Sequence, residues 1–239
     1  METASPEQIM EINAYGKEII ELLKLETSPI AVALLPKGAE IPENIQKIDQ
    51  AMRHCQMIDR VRKTKEEFYA TLEDESCKGG AGALGLGKMP QNVASGEFYY
   101  GTLKHFKSLE AAKKTIEKVP VIEAGSKIAS IYAPLESASF MPDVVVIICN
   151  PKQVMLLTQA ILYNEGGRLE AEFAGKQSLC SDAVAQPYLT GKMGVTVGCS
   201  GSRTYTGIQE SELTVGIPAN LLKDLVEGLR AIVGKATAR

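Results

Sequence analysis

The chain has 239 residues, of which 45% are hydrophobic and 23% charged, so it can bury a core without disulfides or a structural metal. The formal net charge is −3 and no basic cluster alternates with aromatic residues, which excludes the usual electrostatic signature of nucleic-acid binding. The longest apolar runs, 30–35 and 144–149, have six residues each, far too few to cross a membrane. We therefore expect neither nucleic acid nor a membrane as a partner.

The cysteines suggest reduced thiols with a function. Residues 1–6 are polar and no charged region precedes an apolar stretch, so we predict no secretory signal and a cytoplasmic protein. Thiols stay reduced in that compartment. The five cysteines then indicate ligands or redox groups rather than a disulfide framework.

The first elements along the chain are a helix and a buried strand. Residues 5–8 combine a capping serine, a proline and a glutamine that completes a capping box, and helical spacing of apolar residues continues to about residue 25. The apolar run 30–35 predicts a buried strand. Segment 44–71 is mixed, with helical parts, and it carries Cys55.

After Cys77, the glycine-rich segment 79–87 predicts either a close-packed loop or a helix of small residues. The remaining predicted elements are a helix over 108–118, strands over 128–132 and 144–149, a helix beginning at Asn150-Pro151, strands over 169–173 and 193–197, and a C-terminal helix over 218–233. This alternation predicts an α/β fold, with a mixed sheet or sheets and flanking helices, in one globular unit spanning 1–239.

One cysteine pattern occurs twice. Cys55 is followed after 21 residues by Cys77, and Cys180 after 18 residues by Cys199. The second cysteine of each pair begins a Cys-x-Gly element, and an apolar strand precedes each pair. A distant internal duplication would explain the pattern. Outside the Cys-x-Gly elements the two parts do not align, so the duplication and a chance similarity both stay open.

The duplication predicts half-repeats over 29–105 and 128–217 that form two pseudo-symmetric halves sharing one core. The C-terminal helix 218–233 would follow them. Such an arrangement would place the four thiols around a pseudo-twofold axis.

Four thiols in two similar settings predict a metal centre with Cys55, Cys77, Cys180 and Cys199 as ligands. Glycine beside a ligand lets the backbone approach and donate N–H bonds to sulfur. We therefore assign Gly79, Gly80 and Gly201 to the lining of the same site. A [4Fe–4S] cluster is the leading cofactor hypothesis. Zinc accepts the same four thiolates, and cysteine is also an ordinary small buried residue, so zinc and no metal are the alternatives.

Other side chains have a functional and an ordinary interpretation. Arg203 could grip a carboxylate or phosphate, with a structural salt bridge as the alternative; for Arg53 we favour the salt bridge. With two histidines, His54 and His105, a histidine-rich metal site is excluded, and His54 could serve as an auxiliary ligand or proton donor. Cys149 could have a lowered pKa at a helix N-terminus, but packing in the core is favoured.

The glycines at 80–85 also fit the pattern G-x-G-x-x-G. Because no strong strand precedes them, close packing around a cofactor or another chain segment is a better interpretation than nucleotide binding.

Several short motifs together resemble one family. They are Pro29-Ile30-Ala31-Val32, Cys55-x-Met57, Phe68-Tyr69 ahead of Cys77-x-Gly79, the strand 143–149 followed by Asn150-Pro151, and Cys180 with the ending Gly198-Cys199-x-Gly201-Ser202-Arg203. This set resembles the uncharacterised "domain of unknown function 169" family, frequent in archaea and anaerobic bacteria, over roughly 17–229. The resemblance implies no established activity. An anaerobic distribution would suit an oxygen-sensitive centre.

Two functional hypotheses follow. The first is a cytoplasmic, thiolate-ligated iron–sulfur protein that serves electron transfer or a reductive reaction with a redox partner. The second is a metal-free binding module that holds a small anionic ligand or a tetrapyrrole-like cofactor through its glycine-rich loops.

Overall fold

The computed structural model describes residues 5–236, so most of the N-terminal segment from which we predicted no secretory signal lies outside it. The described strands form one six-stranded sheet in the order β2-β3-β1-β4-β6-β5, and every neighbouring pair is antiparallel. The strands are β1 Ile30–Pro36, β2 Phe68–Thr71, β3 Lys127–Pro134, β4 Val144–Cys149, β5 Gly194–Thr196 and β6 Leu213–Pro218.

Helices flank the sheet, as the predicted α/β class requires. The α-helices are α1 Pro6–Leu23, α2 His54–Thr64, α3 Lys78–Ala83, α4 Gln91–Ala94, α5 Leu109–Ile116, α6 Pro151–Ile161, α7 Gln186–Thr190, α8 Ser200–Tyr205 and α9 Leu222–Ala236. Two π-helices, Phe98–Thr102 and Ser178–Ala185, and two 3₁₀ turns, Leu135–Ser137 and Ala219–Leu221, are the other helical elements within residues 5–236. No helix in the described range is both long and apolar enough to cross a bilayer.

Local chemistry fixes the helix starts that the sequence predicts. Ser5 caps α1 and Asn150 caps α6, each within a capping box and each followed by proline at the start of the helix. Both predictions are confirmed. Helix α1 ends earlier than the following Ser-Pro pair, because Lys24 takes up the left-handed conformation that closes a helix.

The sheet separates two cores. Strand β1 is buried on both faces, so its side chains alternate between them. Ala31, Ala33 and Leu35 pack on one face, which α1, α6 and α9 cover. The neighbouring side chains of β1 pack on the other face, against α2, α3 and the π-helix Ser178–Ala185. These last three elements, or the residues that precede them, carry three of the four repeated cysteines.

The sheet has a pseudo-twofold arrangement. In each half the first strand is central, the second lies at the edge and the third lies between them. Strands β1 and β4 meet with Ala31 opposite Val145. The registers correspond as well, since Ile30 pairs with Pro134 as Val144 pairs with Pro218. The topology groups β3 with the first half, whereas the predicted ranges 29–105 and 128–217 assigned it to the second.

Some predicted elements differ from the structure. The predicted strand over 169–173 is wrong, because this segment has no regular structure and pairs with no strand of the sheet. Leu169 packs against the core, whereas Phe173 is 48% exposed. The glycine-rich segment forms the short helix α3 and then a turn. The predicted C-terminal helix 218–233 begins as a 3₁₀ turn and continues to Ala236.

Candidate thiol-lined cavity

A cavity of about 540 Å³ lies on the sheet face that α2 covers, and the four repeated cysteines all line it. Cys55 lies in α2 and Cys180 in the π-helix Ser178–Ala185. Cys77 and Cys199 directly precede α3 and α8. Each half of the fold therefore contributes one cysteine from within a helix and one from a helix start.

Cys77 and Cys199 have equivalent local structures. Each is the N-cap of a short helix, and each sulfur accepts a hydrogen bond from the backbone N–H three residues later. The distances from Sγ to nitrogen are 3.4 Å at Gly80 and 3.5 Å at Ser202. These N–H groups would stabilise a thiolate and would tune a metal centre bound to it.

Cys55 and Cys180 are the more buried pair. Burial raises the pKa of Cys55 to about 12, and the neighbouring thiols of Cys199 and Cys77 contribute part of this increase. Burial also raises the pKa of Cys180 well above its ordinary value, with the same neighbours contributing. Both groups are thus neutral thiols in the metal-free protein, so a metal centre would have to displace their protons.

The glycines predicted to line the site leave space beside the sulfurs of Cys77 and Cys199. A Cβ atom built at Gly80 would lie 3.7 Å from Cys77 Sγ, and one at Gly201 would lie 3.8 Å from Cys199 Sγ. Neither contact is a clash, so packing does not demand glycine at these positions. Gly79 also lines the cavity. The missing side chains keep the volume next to the thiols open, which fits a bound cofactor.

The thiols share the cavity without converging on one point. Among residues 5–236, no three His, Cys, Asp or Glu side chains are grouped as ligands of a single metal ion. A tetrahedral zinc site would hold its sulfurs about 2.3 Å from one ion. Iron and sulfide atoms lie between the ligands of a four-iron cluster, so such a cluster connects sulfurs that stand further apart.

The cavity has a cationic lining. Arg53, Lys78 and Lys176 line it, and none of the described lining residues is acidic. None of the three cations forms an ion pair within the described part of the chain. The guanidinium of Arg53 instead lies 4.1 Å from the centre of the Tyr205 ring. The salt bridge favoured for Arg53 is therefore wrong, and its charge faces a site suited to anions.

Arg203, predicted to hold an anion, is not among the residues that line the cavity. Its guanidinium donates to the backbone carbonyls of Val197, Gln209 and Glu212 at 2.5–2.9 Å. These bonds hold together the segment between β5 and β6. The donors expected to grip a ligand are already used within the chain.

Replacing Arg203 by alanine should lower the free energy of unfolding by about 2 kcal/mol, because three carbonyls lose their donors. Chemical denaturation measures this change. Arg168→Ala, at an exposed loop position, is the matched control and should be neutral. A fully stable Arg203→Ala variant would contradict the bracing role.

Buried polar groups lie close to the thiols, and the sequence analysis did not identify two of them, Tyr132 and Glu75. The Nδ1 atom of His54 lies 2.7 Å from the hydroxyl of Tyr132. Burial lowers the pKa of His54 to about 3, so its imidazole is neutral rather than a proton donor at neutral pH. Burial raises the pKa of Glu75 to about 8, so this carboxyl is largely protonated there. His105 lies on the cavity wall.

Cys149 lies on the opposite sheet face, in the core with α1, α6 and α9. It is 2% exposed, and burial raises its pKa to about 12. The favoured interpretation, a strand cysteine packed in the core, is confirmed.

Comparison with known proteins identifies the family. The sequence matches the DUF169 family, described as "Uncharacterised ArCR", over residues 18–228. The chain belongs to this family. The resemblance found in its short motifs is thereby confirmed. This DUF169 protein is also 42% identical over 222 residues to the uncharacterized protein MJ0308 of Methanocaldococcus jannaschii, covering 92% of this chain and 94% of that relative. No solved structure matches this chain.

Proposed function

We propose that this protein binds a [4Fe–4S] cluster through Cys55, Cys77, Cys180 and Cys199 and serves electron transfer or a reductive reaction. The observation that carries the proposal is that four thiols, two from each half of the fold, line one cavity. Cysteines buried for packing alone would not be expected to line the same cavity. Cys149, in the core on the other sheet face, is an example of a cysteine buried for packing alone.

The surroundings of the thiols support a cluster. Two sulfurs already accept backbone N–H bonds, and glycines leave room beside them. The cationic lining would balance the negative charge of a cluster bound by four thiolates. The spread of the thiols around the cavity favours a cluster over a single zinc ion. A cytoplasmic location, where thiols remain reduced, and a redox partner protein belong to the same proposal.

The second candidate is a metal-free binding module for a small anionic ligand or a tetrapyrrole-like cofactor. The three cations at the cavity, none of which forms an ion pair in the described chain, favour it, because they suit an anion of either kind. Thiol titration separates the two candidates. A native, metal-free protein with five reactive or denaturation-released thiols would support the binding module.

Reversible reduction tests the redox function. We expect dithionite to bleach the visible absorption of anaerobically purified protein and to produce a paramagnetic signal in electron paramagnetic resonance, and mild oxidation to restore the absorption. A protein whose spectrum does not respond to reductant has no redox-active cluster.

Gly80→Ala should weaken cluster binding without lowering the stability of the fold. The added methyl fits without a clash but occupies space between Cys77 and Cys180, so iron loading should fall several-fold. The metal-free protein should be as stable as wild type or slightly more so, since alanine is the better helix former. Iron analysis and thermal unfolding measure the two effects. Gly101→Ala, at a helical position with nothing within 4 Å, is the control and should load normally. Full loading of Gly80→Ala would contradict the assignment of this space to the cluster.

A further inference from the structure

The two halves of the fold differ most in one connection. In the second half, residues 206–212 join α8 to β6. At the equivalent place in the first half, residues 84–126 join α3 to β3 and include α4, the π-helix Phe98–Thr102 and α5. We call residues 84–126 the insertion. It contributes no strand to the sheet, so the shared architecture and the four cysteines do not require it.

The insertion forms one wall of the cavity. Val93, Phe98, Tyr99, Leu103 and His105 all line it. The wall is therefore largely apolar and aromatic. The shorter connection of the second half offers no such wall, so the cavity is asymmetric although the thiols come from a symmetric frame.

Residues 175–177 close against the insertion from the second half. The side-chain amide of Gln177 donates to the hydroxyl of Tyr99 at 3.2 Å. The ammonium group of Lys176 lies 5.6 Å from the centre of the Phe106 ring. Both contacts join side chains far apart in sequence, and they hold the two walls of the cavity together.

Gln177 has an unusual backbone. Its φ of +50° is left-handed, and it is the one described non-glycine residue with positive φ that does not lie at the C-terminal end of a helix. This conformation costs about 1 kcal/mol. Gln177 is 7% exposed, and its side-chain Oε1 has no hydrogen-bond partner among the described residues. The left-handed backbone indicates a functional constraint on Gln177, and the group that serves the cavity is its amide N–H, which orients the Tyr99 hydroxyl.

Apart from the Oε1 of Gln177, the polar groups Tyr99, Lys176 and Arg53 at the cavity are hydrogen-bond donors. Because Tyr99 accepts from Gln177, its own O–H remains free to donate. Burial raises the pKa of Tyr99 to about 12, so it stays a donor at neutral pH. Lys176 and Arg53 add positive charge, and Phe98 adds an aromatic surface. Hydrogen-bond donors and positive charges without acidic neighbours suit a carboxylate, and the apolar, aromatic wall suits a planar ring attached to it.

We propose that the insertion and residues 175–177 form a compartment that binds a small aromatic carboxylate beside the four thiols. Lys176 and Tyr99 hold the carboxylate, and Phe98 contacts the ring. The proposal deepens the proposed function and rests on it for the redox role of the bound acid, whereas binding itself needs no cluster.

Isothermal titration with benzoate tests the compartment, using the full chain purified without oxygen and with iron determined on the same sample. We expect saturable binding of one benzoate per chain. Neutral benzamide should bind roughly tenfold more weakly, because it offers no charge to the lysine. Lys176→Gln should weaken benzoate binding roughly tenfold, and Tyr99→Phe roughly fivefold.

Lys118→Gln is the matched control, because it removes one positive charge from an exposed position outside the cavity and should leave the affinity unchanged. Absence of saturable binding in wild type, or equal affinities in wild type and Lys176→Gln, would overturn the compartment. Benzoate binding by iron-free protein would support the compartment while the cluster proposal fails. Iron-loaded protein that does not bind benzoate would be the opposite outcome.

Discussion

Replacing Cys199 with alanine is expected to abolish the visible absorption of the anaerobically purified protein. A four-thiolate cluster loses one ligand in this variant, and the side chain that replaces it cannot bind iron. The half-buried thiol contributes little else, so the metal-free variant should unfold within about 1 kcal/mol of the wild-type free energy. The visible spectrum, iron content and circular dichroism of the same sample measure these effects.

Cys149→Ala is the matched control for this prediction. It also removes one sulfur, but from the opposite core, so it should keep the full absorption while losing about 1 kcal/mol of stability to a small cavity. Wild-type absorption in the Cys199→Ala variant would contradict the assignment of Cys199 as a cluster ligand. Loss of absorption in both variants would point to a general effect on folding instead.

Replacing Gly216 with alanine is expected to destabilise the whole fold by about 3 kcal/mol or more. A Cβ atom there would lie 2.0 Å from the backbone oxygen of Ala183, and backbone cannot move aside as a flexible side chain can. Ala183 belongs to the π-helix Ser178–Ala185, which carries Cys180. The variant should therefore lose cluster binding together with stability. Denaturant unfolding and iron analysis measure the two losses.

Gly101→Ala serves again as the control, because a Cβ at that position has nothing within 4 Å and the free energy of unfolding should change by less than about 0.5 kcal/mol. If Gly216→Ala unfolded at the same denaturant concentration as Gly101→Ala, the close approach of β6 to the π-helix would be contradicted.

Features with a local cause could be predicted from the sequence. The capping box at Ser5 starts α1, and the apolar run 144–149 is β4, because both depend on neighbouring residues alone. The repeated Cys-x-Gly element likewise encodes a cysteine cap followed by a short helix. This local structure is why the sequence pattern alone relates Cys77 to Cys199.

Features that depend on contacts distant in sequence could not be predicted. The pairing of β3 with β1 decides to which half β3 belongs, and only the topology specifies it. Arg203 shows a different limit. The carbonyls that occupy its guanidinium lie only six to nine residues away, on both sides of α8, but backbone carbonyls leave no mark in a side-chain motif. Tyr99 and Gln177 carry no motif, since their role arises from a contact between separate segments.

Iron and acid-labile sulfide content, determined on protein purified without oxygen, tests the central claim most directly. About four iron and four sulfide per chain would agree with one cubane cluster held by the four cavity thiols. A colourless protein without iron or sulfide, with all five cysteines titrating as free thiols, would contradict it.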